Sequence, residues 1–82
     1  MLEKLQKFID FKLKYAEKYG RSVHSIENYR AQAYGALLFL EVNGLVTYEE
    51  TKEMWDKAYD KFYKLMLDIS NKKWYNKSIR KE

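Results

Sequence analysis

The chain has 82 residues, of which 34% are charged, 46% hydrophobic and 17% aromatic, and its formal net charge is +4. One domain of this length lies near the lower limit for unaided folding, which leaves little room for a deep substrate cleft. With no Cys and a single His, His24, it offers no disulfide framework, no thiolate zinc site and no paired-histidine site, so neither metal nor cofactor is expected.

The first predicted helix covers residues 2–19. Leu2, Leu5, Ile9, Leu13 and Ala16 fall along one line, flanked by Phe8, Tyr15 and Tyr19, the spacing of an amphipathic helix. Lys12 lies inside the apolar arc, where its aliphatic stem is expected to snorkel. Residues 1–21 carry six basic and three acidic side chains, a local charge of +3. The opening residues alternate in charge and lack the apolar core of a signal peptide. A cytoplasmic protein is the expectation. Gly20 follows the helix and is expected to take the left-handed conformation that commonly ends one.

The second helix is predicted over 23–43, capped by Ser22 or Ser25. It is apolar nearly all round. Ile26, Tyr29, Ala33, Leu37 and Leu40 form one face; Ala31, Gly35, Leu38 and Val42, with Phe39 beside them, form a second. Its longest apolar run, Ala33 to Leu40, has eight residues, short of the ~18 that span a bilayer. The charged strip is thin: Glu27, Arg30 and Glu41. Local pairing of Glu27 with Arg30, and of Arg30 with Asp60 across the bundle, accounts for it better than acid–base catalysis, which needs carboxylates in a concave site. His24 reads as a surface residue. A helix apolar on two sides presents more surface than two partner helices cover. Ala31, Tyr34, Gly35, Leu38, Phe39 and Val42 are therefore the candidate partner interface. Small residues at the Ala31–Gly35 spacing admit another backbone closely, either a neighbouring helix of the same chain or another chain.

Gly44 ends the second helix, with Leu45 placed to pack on Leu40 in a Schellman motif. Thr47-Tyr48-Glu49-Glu50 is a capping box for the third helix, read as 48–70. The Gly44-Leu45-Val46-Thr47-x-Glu49-Glu50 turn is similar to one common in small helical hairpins, including the short C-terminal domains of bacterial proteins. That resemblance covers the turn alone and implies a hairpin of helices, with no activity attached. In the third helix Tyr48, Thr51, Trp55, Ala58, Phe62, Leu65 and Ile69 form a stripe that Met54, Tyr59 and Met66 widen. Its first turns carry Glu49, Glu50, Glu53 and Asp56, which phosphates would repel, so it is a poor major-groove recognition helix. Residues 48–70 sum to −2.

Residues 72–82 carry +4, with eleven basic and eleven acidic groups balancing in the rest of the chain. Lys72, Lys73, Trp74, Tyr75, Lys77, Arg80 and Lys81 interleave basic and aromatic groups in a tail or a prolongation of the third helix. Such a segment can follow a phosphate backbone while its rings stack on bases, lie on an anionic membrane, or dock in an acidic groove of a protein.

The expected fold is all-α, a small up-down-up three-helix bundle (1–71) with a basic-aromatic C-terminal segment (72–82). Its core is expected to hold Ile9, Leu13, Leu37, Leu40, Trp55, Phe62 and Leu65. The function expected is non-enzymatic: a small regulator or inhibitor that binds another protein chain through apolar and aromatic helix surface. The Lys-, Tyr- and Asn-rich, Pro-free composition suits a phage or mobile element. The alternatives are a nucleic-acid-associated accessory protein using the tail and the basic first helix, and a homodimer formed through the second helix.

Overall fold

The computed structural model describes the backbone of residues 1–81 and the side chains of residues 1–71. Three helices make up the chain: α1 (Leu2–Tyr19), α2 (Val23–Val42) and α3 (Tyr48–Lys81). No strand occurs among the described residues. All three helices pack on one another. Side-chain contacts run in opposite order along neighbours. Lys12 reaches Gln32 and Tyr15 reaches Tyr29, while Arg30 lies over Tyr59 and Tyr34 packs on Trp55.

The core forms where the apolar lines converge. Leu5, Ile9, Leu13 and Ala16 of α1 meet Ile26, Ala33 and Leu37 of α2 and Ala58 and Phe62 of α3. Phe62 and Ile9 are completely buried. Trp55, Leu40 and Leu65 are packed against this cluster but only partly buried. Tyr48 heads the predicted α3 stripe yet is exposed. It lies at the first helical position, on the rim of the groove between α2 and α3.

The two connections work by different chemistry. At the first, Gly20 has φ −76°, so the expected left-handed ending is absent. Glycine is needed there for space: a Cβ at this position would lie 2.4 Å from the Ala16 carbonyl oxygen and 2.6 Å from Ile26 Cγ1. The chain passes so close to the start of α2 that no side chain fits. Ser22 then caps α2 in a reciprocal box with Ser25. The second connection is the expected one. Gly44 has φ +70°, Leu45 N–H donates to Leu40 C=O (2.9 Å), and Gly44 N–H donates to Glu41 C=O (3.0 Å), a complete Schellman pair. α2 ends at Val42, one residue before the predicted end, and Asn43 falls just outside it. Its backbone is in the bridge region (φ −84°, ψ 5°) and its side-chain amide donates to Phe39 C=O.

Thr47 Oγ1 accepts from Glu50 N–H at 3.2 Å, and Glu50 accepts from Thr47 N–H at 2.9 Å. Val46 and Thr51, which flank this box, are both buried and occupy the two positions that a hydrophobic staple pairs. Beyond Ile69 the backbone of α3 stays helical to Lys81, past the predicted end at residue 70. No Gly or Pro follows Gly44, and Lys and Arg rank high in helix propensity, so loss of the apolar rhythm alone does not stop the helix.

Candidate functional site

The inner and outer sides of α2 separate cleanly. Ile26, Ala33 and Leu37 point into the core. Ala31, Tyr34, Gly35, Leu38, Phe39 and Val42 are all exposed. Leu38 is 40%, Phe39 66% and Val42 85% accessible. An added Cβ on Gly35 would meet nothing within 4 Å. The Ala31–Gly35 spacing is therefore not used to pack α2 against α1 or α3, and of the two readings of that pair the intramolecular one falls.

Arg30 and Glu41 lie on the α3 side of α2, and Glu27 stands one turn before the outer-face residues. Arg30 forms an ion pair with Glu27, one turn away, and stands over the Tyr59 ring at 6.0 Å. The guanidinium hydrogen bond holds the Glu27 carboxyl below the usual carboxylate range against a small opposing desolvation. The expected link from Arg30 to Asp60 does not form. Asp60 pairs instead with Lys64, one turn along α3, at 3.2 Å, and an i,i+4 partner on the same helix costs less side-chain ordering than one across a groove. Glu41 lines a shallow groove of about 210 Å³ between α2 and α3, together with Tyr34, Tyr48, Lys52 and Trp55. On the opposite flank a second groove of about 230 Å³, bordered by Met1, Lys4, Phe8, Ala36, Phe39 and Leu40, is almost wholly apolar. The outer face of α2 thus forms a ridge with a groove on either side.

Among the described residues no group of three His, Cys, Asp or Glu side chains is placed to hold a metal ion. His24 is exposed, and no helix is long and apolar enough to cross a membrane. The side chains of Lys72, Lys73, Trp74, Tyr75, Lys77, Arg80 and Lys81 lie outside the described residues.

A second surface was not singled out by the apolar pattern. On α1, Glu3, Asp10 and Glu17 recur every seven residues and so share one edge of the helix, while Lys4, Lys7, Lys12, Lys14 and Lys18 lie elsewhere on it. Phe8, Phe11, Tyr15 and Tyr19, all exposed, occupy the same arc as those lysines. Lys12 does more than snorkel: its Nζ donates to Gln32 Oε1 at 2.7 Å across to α2 and lies 5.3 Å from the Phe8 ring centre. The basic excess of this helix is plain in the sequence, and the seven-residue spacing of its acids is what confines that excess to one arc.

No protein-family model, curated protein or solved structure matches the chain.

Proposed function

We propose that the chain is a small non-enzymatic binding protein, of the regulator or inhibitor kind, that docks on another polypeptide through the outer face of α2. The observation that supports this reading is the ridge itself. Six exposed apolar, aromatic or small side chains lie along three turns of helix without a charge among them. Patches of that kind on soluble proteins mark contact surfaces. Gly35 strengthens the case. A glycine inside an exposed helix costs about 1 kcal/mol relative to alanine, and among the described residues nothing approaches it closely enough to require the missing side chain. A partner's backbone would. Tyr34 and Phe39, one at each groove, supply large side chains of the type that anchor interfaces.

Photo-crosslinking tests this. A benzophenone side chain at Leu38 should trap a discrete partner in the source cells, and the same group at Lys57 on α3 should not. Phe39→Asp and Gly35→Leu should each abolish the crosslink while the circular dichroism spectrum stays helical. If the Leu38 and Lys57 probes trap the same set of proteins, the ridge is not the docking face. Trapping of a second copy alone would make the protein a homodimer through α2, which a neutral ridge does not oppose.

A further inference from the structure

We propose that the outer arc of α1, which adjoins the α2 ridge at Lys4 and Phe8, is a binding site for single-stranded nucleic acid distinct from the basic C-terminal segment. The arc spans about 160° of the helix circumference and holds Lys4, Lys7, Lys12, Lys14 and Lys18 together with Phe8, Phe11, Tyr15 and Tyr19. Glu3, Asp10 and Glu17 all lie beyond its edge. Among the described residues none of the five lysines takes part in a salt bridge, and four of them are exposed. Among the described residues the positive charge on this arc is thus not neutralised by an ion pair.

The rings decide what kind of anion fits. Phe11, Tyr15 and Tyr19 follow one another at single-turn intervals, roughly 6 Å along the axis. Their centres are 4.4 and 5.5 Å apart, with planes tilted by 39° and 88°. In duplex DNA the base faces are covered by their stacked neighbours and offer nothing to these rings. Bases of a single strand can be splayed apart and stacked singly on exposed aromatics. Lysines and rings are also interleaved rather than segregated: Lys18 Nζ lies 5.5 Å from the Tyr19 ring centre, and Lys4, Phe11 and Lys18 share one line at seven-residue spacing. A helix lying on a membrane separates its apolar face from its charges. An acidic peptide would use the lysines and leave the rings idle. Phosphates beside flat bases use both. The helix, about 27 Å long, accommodates about four nucleotides.

The test is fluorescence anisotropy with labelled 12-mers of dT and of U, a 12-bp duplex, poly-glutamate, and vesicles containing anionic lipid, using the full chain. Both single strands should bind more tightly than the duplex, with affinity falling steeply as salt rises. Preference between dT and U identifies whether DNA or RNA is the natural strand. Replacing Lys7, Lys14 and Lys18 by Gln should weaken binding at least tenfold and lower the salt slope by about two. Replacing Lys57, Lys61 and Lys64 by Gln removes the same charge from α3 and should change affinity less than threefold. Phe11→Ala with Tyr19→Ala should cost roughly tenfold with the slope unchanged, since stacking releases no counterions. No binding, equal loss in the two lysine triples, tighter binding to duplex, poly-glutamate or vesicles, or loss only when Lys72, Lys73 and Lys77 are neutralised would each overturn the proposal.

Discussion

Leu37 and Leu38 are neighbours in sequence and opposites in position. The first is 4% accessible and belongs to the three-helix core; the second is 40% accessible and stands on the outer ridge of α2. The same contrast runs down the helix, with Ile26, Ala33 and Leu37 inside and Ala31, Gly35, Leu38 and Val42 outside. Equal hydrophobicity therefore does two jobs on α2. One line holds the fold together, and the other is surplus to the fold and available to a partner.

Substitutions should separate those jobs, beginning with the largest effect. Phe62→Ala, opposite the inner line, should cost about 3–5 kcal/mol in urea unfolding, enough to leave a domain of this size marginal. A loss below ~1 kcal/mol would mean that the inner line is not the core. Gly20→Ala should destabilise by about 1–3 kcal/mol, because its methyl would push on the Ala16 carbonyl and on Ile26 of the inner line. Thr47→Ala should cost on the order of 1 kcal/mol through loss of the cap on α3. On the outer line the sign reverses. Gly35→Ala should raise the unfolding free energy by up to about 1 kcal/mol while weakening docking, a divergence that a purely structural glycine would not show. Leu38→Ala should leave stability within about 0.5 kcal/mol of the parent yet reduce crosslinking at the ridge.

The smallest effect is electrostatic. The Glu27 carboxyl is held below its ordinary range in the folded chain by its bond to Arg30. Its contribution is therefore present above the unfolded carboxylate pKa and is lost as pH falls through the lower, folded value. Both partners are partly exposed, so solvent screening limits the contribution to about 0.3–0.5 kcal/mol. Thermal unfolding of Glu27→Gln and its parent should converge as pH drops below the carboxylate range, and should also converge at neutral pH in high salt.

Much of the fold was legible because its signals are local. The Ser22, Gly44 and Thr47 caps sit next to the residues they serve, and the α1 and α3 stripes repeat every three to four residues. Gly20 was misread because its constraint is an approach by Ile26, on the next helix, and backbone preference alone carries no trace of it. Trp55 and Leu65 were placed deeper than they lie, since periodicity gives a residue's direction but not how many helices meet it there. The Arg30–Asp60 link failed for a related reason: sequence shows complementary charge, while side-chain entropy favours the nearer partner for each. The α2 ridge was visible as a surplus of apolar residues, but only the three-dimensional packing shows that the described residues leave Gly35 uncovered.

The length of α3 has a hydrodynamic consequence. At 34 residues it is about 51 Å long, far longer than α1 and α2, and it stretches the molecule to 56 × 20 × 17 Å. The radius of gyration is 15.3 Å, against about 12 Å for a compact chain of this size. Gel filtration sorts by Stokes radius rather than by mass, so a monomer of 10.0 kDa should emerge early, near the position of a globular protein of substantially greater mass. An early peak would then be a property of one rod-like chain, and the stoichiometry of any assembly has to be read from sedimentation equilibrium or light scattering.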